Sequence, residues 1–256
     1  MKKVALTIIA LTFATVFMSC KNETTDTETT PENHDLAVAD TTPSTETGYL
    51  YVTAPSGLTL REFNNLNSDK LAVMPYGTKL KVLTNEANKT MNVGGIDGGM
   101  NEVEYNNKTG FAFNGFLSKF FPPEKGTNAK MYVQDLKTTF PNVSYTETTG
   151  GTASNPTNTE AVLLPTQQWH EAFYIAQKLY DIPMAFNFPN PKGKDSETIK
   201  NSKKAEHLLT SDLILERKDN ELQKITYSQA AEGFGSGVTI SKEGDMMKIE
   251  YTAVVD

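Results

Sequence analysis

Few side chains in this sequence are equipped for chemistry, and their spacing argues against most reactions. His170-Glu171 begins a zinc-protease pattern that needs a second His four residues on, so that both imidazoles share one helical face. Position 174 is Tyr, so the pattern fails. His170 is then expected as a solvated or hydrogen-bonded side chain beside an apolar helical stripe. His207 is read the same way, and His34 sits in a polar stretch with nothing to act on. No GxSxG nucleophile elbow occurs. Gly233-Phe234-Gly235-Ser236-Gly237 looks like a phosphate loop, but it leads into a predicted strand, so no helix N-terminus would face an anion. It is read as a flexible turn. Glu102 and Glu104 fall on one side of a predicted strand and are read as solvated. The expectation is a chain that is not an enzyme, with no catalytic residue, no metal and no cofactor. A hydrolase whose site is assembled from residues distant in sequence is the weakest reading, and only activity on wall fragments would sustain it.

What remains is binding. The first half of the chain supplies Tyr49, Tyr51, Phe63, Tyr76, Phe111, Phe113 and Phe116. Phe111 and Phe113 flank Ala112 and are read as core. Tyr76, in the turn Pro75-Tyr76-Gly77, is the foremost candidate for an exposed ligand contact, with Tyr51, Phe63 and Arg61 beside it. Arg61 has two readings: a bidentate grip on a ligand carboxylate, or a structural pair with Glu62 or another acid.

These residues lie in residues 48–121, where short apolar-alternating runs are separated by turn residues. That is the pattern of a small all-β unit. Lys79-Leu80-Lys81-Val82-Leu83 places Leu80 and Val82 inward and the lysines outward. Asn106-Asn107-Lys108-Thr109-Gly110 is a hairpin turn, because Asn and Gly accept positive φ at little cost. Five short strands with one apolar face each predict a closed barrel. Leu58–Glu62 (LTLRE), Met74–Leu83 (MPYGTKLKVL) and Lys108–Ser118 (KTGFAFNGFLS) resemble the bacterial SH3 domain, SH3b, in order and spacing as well as in residues. The resemblance covers about 75 of 256 residues. It implies an SH3-like β-barrel that recognises cell-wall peptide or protein. Met100 stands near the place where that family often has Trp, which weakens the case for an aromatic-lined groove. Residues 92–99, Gly-rich, are expected as a loop protruding between strands, either merely flexible or serving specificity.

The N-terminus sets the expected location. Met1-Lys2-Lys3 is basic, Val4–Met18 is apolar or Thr, and Ser19-Cys20 follows. This is a secretory signal over residues 1–19, too short for a structural membrane span. Phe17-Met18-Ser19-Cys20 resembles a lipobox, with Phe17 where an aliphatic residue is usual. The resemblance implies cleavage before Cys20 and lipidation of that residue. An ordinary signal with an incidental Cys is the alternative. Several acyl chains anchor stably where one would not. With Cys20 acylated no thiol is left, so the Cys/His peptidase chemistry often appended to SH3b domains is not expected. Without Cys pairs, an exported chain of this length is held together by its core.

Residues 20–47 are dominated by Thr, Glu, Asp, Asn and Pro and are expected as a disordered tether. Lys21–Thr47 would span roughly 90 Å if fully extended. Lys21-Asn22-Glu23 resembles an acidic surface-export signal of Gram-negative lipoproteins, and a periplasm-facing protein stays equally open. The expected location is the envelope, lipid-anchored, in the outer membrane. The precursor carries −7 formal charge; losing residues 1–19, with Lys2 and Lys3, leaves 22 basic against 31 acidic residues, or −9. No basic stripe offers itself to nucleic acid.

Phe121–Gly126 contains two prolines and reads as a stiff hinge closing the first domain. Residues 127–256 are expected as a second, α+β domain, making the whole mainly β plus α+β. Helices are predicted over 131–139, over 166–181 with Thr166 as N-cap, and over 196–209. Residues 143–146 read as a strand and 148–159 as a polar loop. Strands over 212–218, 221–228, 237–242 and 246–254 form a C-terminal antiparallel meander. Partners follow: the membrane through the lipid, and wall peptide or a protein through the barrel. The alternative is a protein-interaction or inhibitory lipoprotein acting through 127–256.

Overall fold

A computed structural model describes residues 48–152 and 156–255. The expected signal peptide, Cys20 and the tether therefore lie outside the described residues.

The first sheet is built from β1 (Tyr49–Val52), β2 (Leu58–Arg61), β3 (Lys70–Met74), β4 (Lys79–Thr84), β7 (Met100–Tyr105), β8 (Lys108–Phe113) and β9 (Leu117–Ser118). Its order is β3-β2-β8-β7-β4-β1-β9, with every paired neighbour antiparallel. Period-2 alternation is visible in the burial: Leu80 and Val82 are inside while Lys79 and Lys81 are exposed. Asn106 and Asn107 both have positive φ, 48° and 60°, and make the two-residue β7–β8 turn. Val52, Leu60, Met74, Val82, Val103 and Ala112 form the dry centre. No ladder joins β3 to β9 among the described residues, so the barrel-like sheet keeps two edges and is not closed by hydrogen bonds.

Residues 92–99 are not a protruding loop. β5 (Met91–Val93) and β6 (Ile96–Gly98) form a small hairpin turning on Gly94 and Gly95, both at positive φ. Ile96 is buried, and a Cβ on Gly95 would stand 3.2 Å from Asn190 Cα. The hairpin is thus packed at its tip against the second half of the chain. Ile96 is turned the other way, beside Gly115, and ties the hairpin to the first sheet's own end.

The second sheet has the order β10-β11-β16-β15-β14-β13-β12, all antiparallel. The strands are β10 (Ser144–Gly151), β11 (Pro156–Leu164), β12 (Ser196–Lys200), β13 (Leu208–Lys218), β14 (Glu221–Ala231), β15 (Phe234–Glu243) and β16 (Met246–Val255). The C-terminal meander is as expected, with Asp219 and Asn220 at positive φ in the β13–β14 turn. Helices do not simply precede the sheet, because β11 pairs with β16. The polar loop over 148–159 is instead largely a hairpin: Thr146 to Gly151 are exposed yet paired with β11. With no buried face, this strand carries no alternation for pattern reading to find.

The helix predicted over 196–209 does not exist. Ser196–Lys200 is an edge strand on β13, and two short turns at 202–203 and 206–207 lead into β13 itself. Thr198 and Ile199 are β-branched and suit a strand.

Two helices complete the described fold. α1 (Ala129–Leu136) is capped by Asn128, whose side chain accepts from Met131 N–H at 2.9 Å. α2 (Trp169–Leu179) is shorter than the 166–181 expected, and Gln168 rather than Thr166 holds the N-cap position. It buries Ala172, Phe173 and Ala176 completely and packs on β15 and β16. On its other side it faces the first sheet, where Tyr174 meets Phe116 at 6.4 Å between ring centroids.

Candidate functional site

Three cavities border the junction of the first sheet with α2. The largest is an open cleft of about 1010 Å³. Tyr51 of β1 and Tyr76 of the β3–β4 turn come from the first sheet, Phe121 to Thr127 from the connecting segment, and Tyr132 from α1. Gln177 and Lys178 of α2 and the loop 181–184 complete the wall. The prolines at 122 and 123, read as a hinge, line this cleft.

The aromatic side is rigid. Phe121 meets Tyr51 edge-on at 6.2 Å and Tyr132 at 5.5 Å. Tyr132 is fully buried, and its hydroxyl donates to Phe121 O at 2.9 Å. Burial pushes its hydroxyl well above the usual tyrosine range. Opposite, the buried Gln177 amide donates to Pro183 O at 3.2 Å and Phe186 O at 2.9 Å, pinning the 181–186 loop. Asp181, at the start of that loop, has φ +50°, a left-handed conformation that a non-Gly residue adopts at some cost.

Tyr76 is the telling residue. Expected as an exposed contact, it is half-buried under Lys178, whose Nζ lies 4.8 Å from the ring centroid. Its hydroxyl is buried and has no hydrogen-bond partner among the described residues. Desolvation raises its pKa, so it is a neutral donor. Buried polar groups are nearly always satisfied, and an orphan calls for an explanation.

The other sequence candidates separate. Tyr51 shares the cleft with Tyr76. Arg61 does not: it donates to Ser68 O at 2.8 Å, holding the 62–69 loop, and lines a different cavity of about 300 Å³. It makes no pair with Glu62 or any other described acid. Phe63, on that loop, is 57% exposed and lines none of the three cavities. Met100 is buried core. Glu102 accepts from Thr84 Oγ1 and Glu104 pairs with Lys81, both at the surface.

His170 and Glu171 border the smallest cavity, about 220 Å³. His170 packs edge-on against Phe188, and burial with the nearby Lys89 charge lowers its pKa to about 4. Glu171 is a buried brace. Its carboxylate accepts from Ser118 Oγ of β9 at 2.6 Å and from Thr166 Oγ1 at 2.5 Å. Those hydroxyls in turn accept from Phe120 N–H and Gln168 N–H, both at 3.1 Å. Burial raises the Glu171 pKa against the pull of both hydroxyls and Lys119. Sequence reasoning missed Phe121, Tyr132, Gln177 and Lys178 in the cleft, and the brace. An acid followed directly by the buried Ala172-Phe173 was the available signal for Glu171.

Among the described residues, no three His, Cys, Asp or Glu side chains converge as metal ligands, and no helix is long and apolar enough to cross a membrane. No family model, curated protein or solved structure matches the chain.

Proposed function

We propose that this is a lipid-anchored binding protein of the bacterial envelope, without catalytic activity, that holds an extended peptide in the Tyr51–Tyr76 cleft. The observation that carries the reading is the Tyr76 hydroxyl, buried and without a partner among the described residues, at the wall of an aromatic-lined cleft. A ligand carbonyl would satisfy the group once the side chains that cover it give way, while the aromatic faces pack apolar side chains or prolines. The cleft's size lies at the upper end of the range for ligand sites. Its charges are mixed, Glu124, Asp135 and Asp181 beside Lys125 and Lys178, which suits a peptide better than a polyanion.

Cys20 carries the acyl anchor in this account, residues 20–47 form the leash, and the outer membrane is the location. The SH3b resemblance of residues 48–121 makes cell-wall peptide the first ligand to test. The cleft takes residues from both halves of the chain, so recognition by the barrel and recognition by 127–256 become one site. A protein partner is the second reading, favoured by Met184 at the cleft, which is 50% exposed.

The test is retention of the full chain on purified peptidoglycan, compared with Tyr51→Ala. Retention above a control protein, reduced by the substitution, is expected. No retention removes the wall ligand. Photo-crosslinking from position 184 in cells then yields one defined heterocomplex if the ligand is a protein. Failure of both ends the proposal.

A further inference from the structure

We propose that the second cavity, about 300 Å³ and walled by Arg61, is a separate binding site for a carboxylate carried on a short apolar body. It shares no residue with the Tyr51–Tyr76 cleft. Four observations lead there.

Arg61 closes β2, whose burial alternates, so Leu58 and Leu60 enter the core while Thr59 and Arg61 face the other side. Its guanidinium has five donors in a fixed fork, yet its one hydrogen bond to described residues runs from Nη1 to Ser68 O. No described acid pairs with it; the ion pairs of the described residues involve Lys81, Arg217, Lys224 and Lys248. A half-buried arginine held at one end by a backbone carbonyl is oriented, and the rest of its fork stays available for a bidentate anion.

The remaining lining is mixed: an apolar wall faces a polar rim of Ser56, Thr59 and Asn187. Val93, Met100, Phe113 and Phe116 supply the apolar wall, and Tyr174 of α2 adds a hydroxyl with no partner among the described residues. Burial raises the Tyr174 pKa to about 12, so the hydroxyl stays a donor at neutral pH. One cation, further hydroxyl and amide donors and no lining acid, beside an apolar wall, match an anion with a hydrocarbon tail better than a cationic ligand. The volume is at the lower end for ligand sites, which favours a small body. The Phe113–Phe116 edge contact at 5.6 Å and the Phe116–Tyr174 contact fix that wall in place.

The carboxylate is either a free short-chain acid or the C-terminus of a peptide ending in an apolar residue, and the experiment separates the two. The full chain, in lipid nanodiscs, is labelled at the methionine methyl groups and titrated with pentanoate, with 1-pentanol and with acetyl-Gly-Val. Met100 reports the cavity, and Met184 reports the other cleft. Saturable movement of the Met100 signal with pentanoate or the peptide, without movement of Met184, is expected. The tighter of the two names the source. Pentanol should bind roughly 10- to 100-fold more weakly, the share of a charge-assisted hydrogen bond. Arg61→Gln should lower carboxylate affinity to the pentanol level, while Arg61→Lys keeps part of it. Equal binding of pentanol and the acids, or no saturable shift of Met100 with either acid, overturns the proposal. The comparison of ligands on the unsubstituted chain stands even if a variant misfolds.

Discussion

α2 buries two polar groups against the first sheet, and it treats them in opposite ways. Glu171 and Lys178 are seven residues apart, two helical turns and about 10.5 Å along the axis. At Glu171 every lone pair that matters is answered, by Ser118 from one sheet and Thr166 from the start of the helix. Under Lys178, the Tyr76 hydroxyl is answered by nothing. The first arrangement is what a fold does to hold two parts together. The second leaves a buried hydroxyl unpaired, as happens also at Tyr180, and what sets Tyr76 apart is its place on the wall of the cleft. The brace is read as architecture and the cleft as the site.

Breaking the brace should have the largest effect. Glu171→Ala leaves two buried hydroxyls without their acceptor and opens a hole, so a loss of about 2–4 kcal/mol is expected in denaturant unfolding. A loss below about 1 kcal/mol would mean that the junction does not depend on this carboxylate. Next comes the cleft wall. Tyr132→Phe removes one buried hydrogen bond, to Phe121 O, and should cost about 1 kcal/mol by the same measurement.

Adjacent residues should pull the pH dependence in opposite directions. Glu171 has a raised pKa, so the folded state holds its proton longer than the unfolded chain does. Stability from this group therefore falls as pH rises above its ordinary 4.5, and levels off above the raised value. His170 has a lowered pKa, so its contribution is lost as pH falls from 6.5 towards about 4. Melting temperature against pH should rise more steeply between 4.5 and 6.5 in Glu171→Gln, and less steeply in His170→Asn. Parallel curves for both variants and the parent would sharpen the comparison against the brace.

The first sheet was legible because its strands have one wet and one dry face. Leu80 and Val82 between lysines, and Asn106-Asn107 at the turn, left little freedom. The start of β10 is legible in residues 143–146, but its continuation from Glu147 and nearly all of β12 are exposed, so pairing left no trace in hydropathy. The 92–99 insert looked loose because four glycines hide one buried Ile96. For the site, Tyr51 and Tyr76 could be picked as aromatic supply, and they do share the cleft. Their partners Phe121, Tyr132 and Lys178 are brought in by tertiary packing between segments far apart in sequence, which no local pattern encodes. Tyr76 was chosen as exposed; the turn around it is exposed at Pro75 and Gly77, but α2 covers the ring.

Tyr76→Phe tests the central claim most directly, because it deletes the orphan hydroxyl and nothing else. Melting temperature and retention of the full chain on purified peptidoglycan would be measured side by side with the parent. The account predicts a melting temperature equal to or above the parent's together with weaker retention. A variant that melts lower while retaining the ligand undiminished would contradict it, because the hydroxyl would then serve the fold and not the ligand.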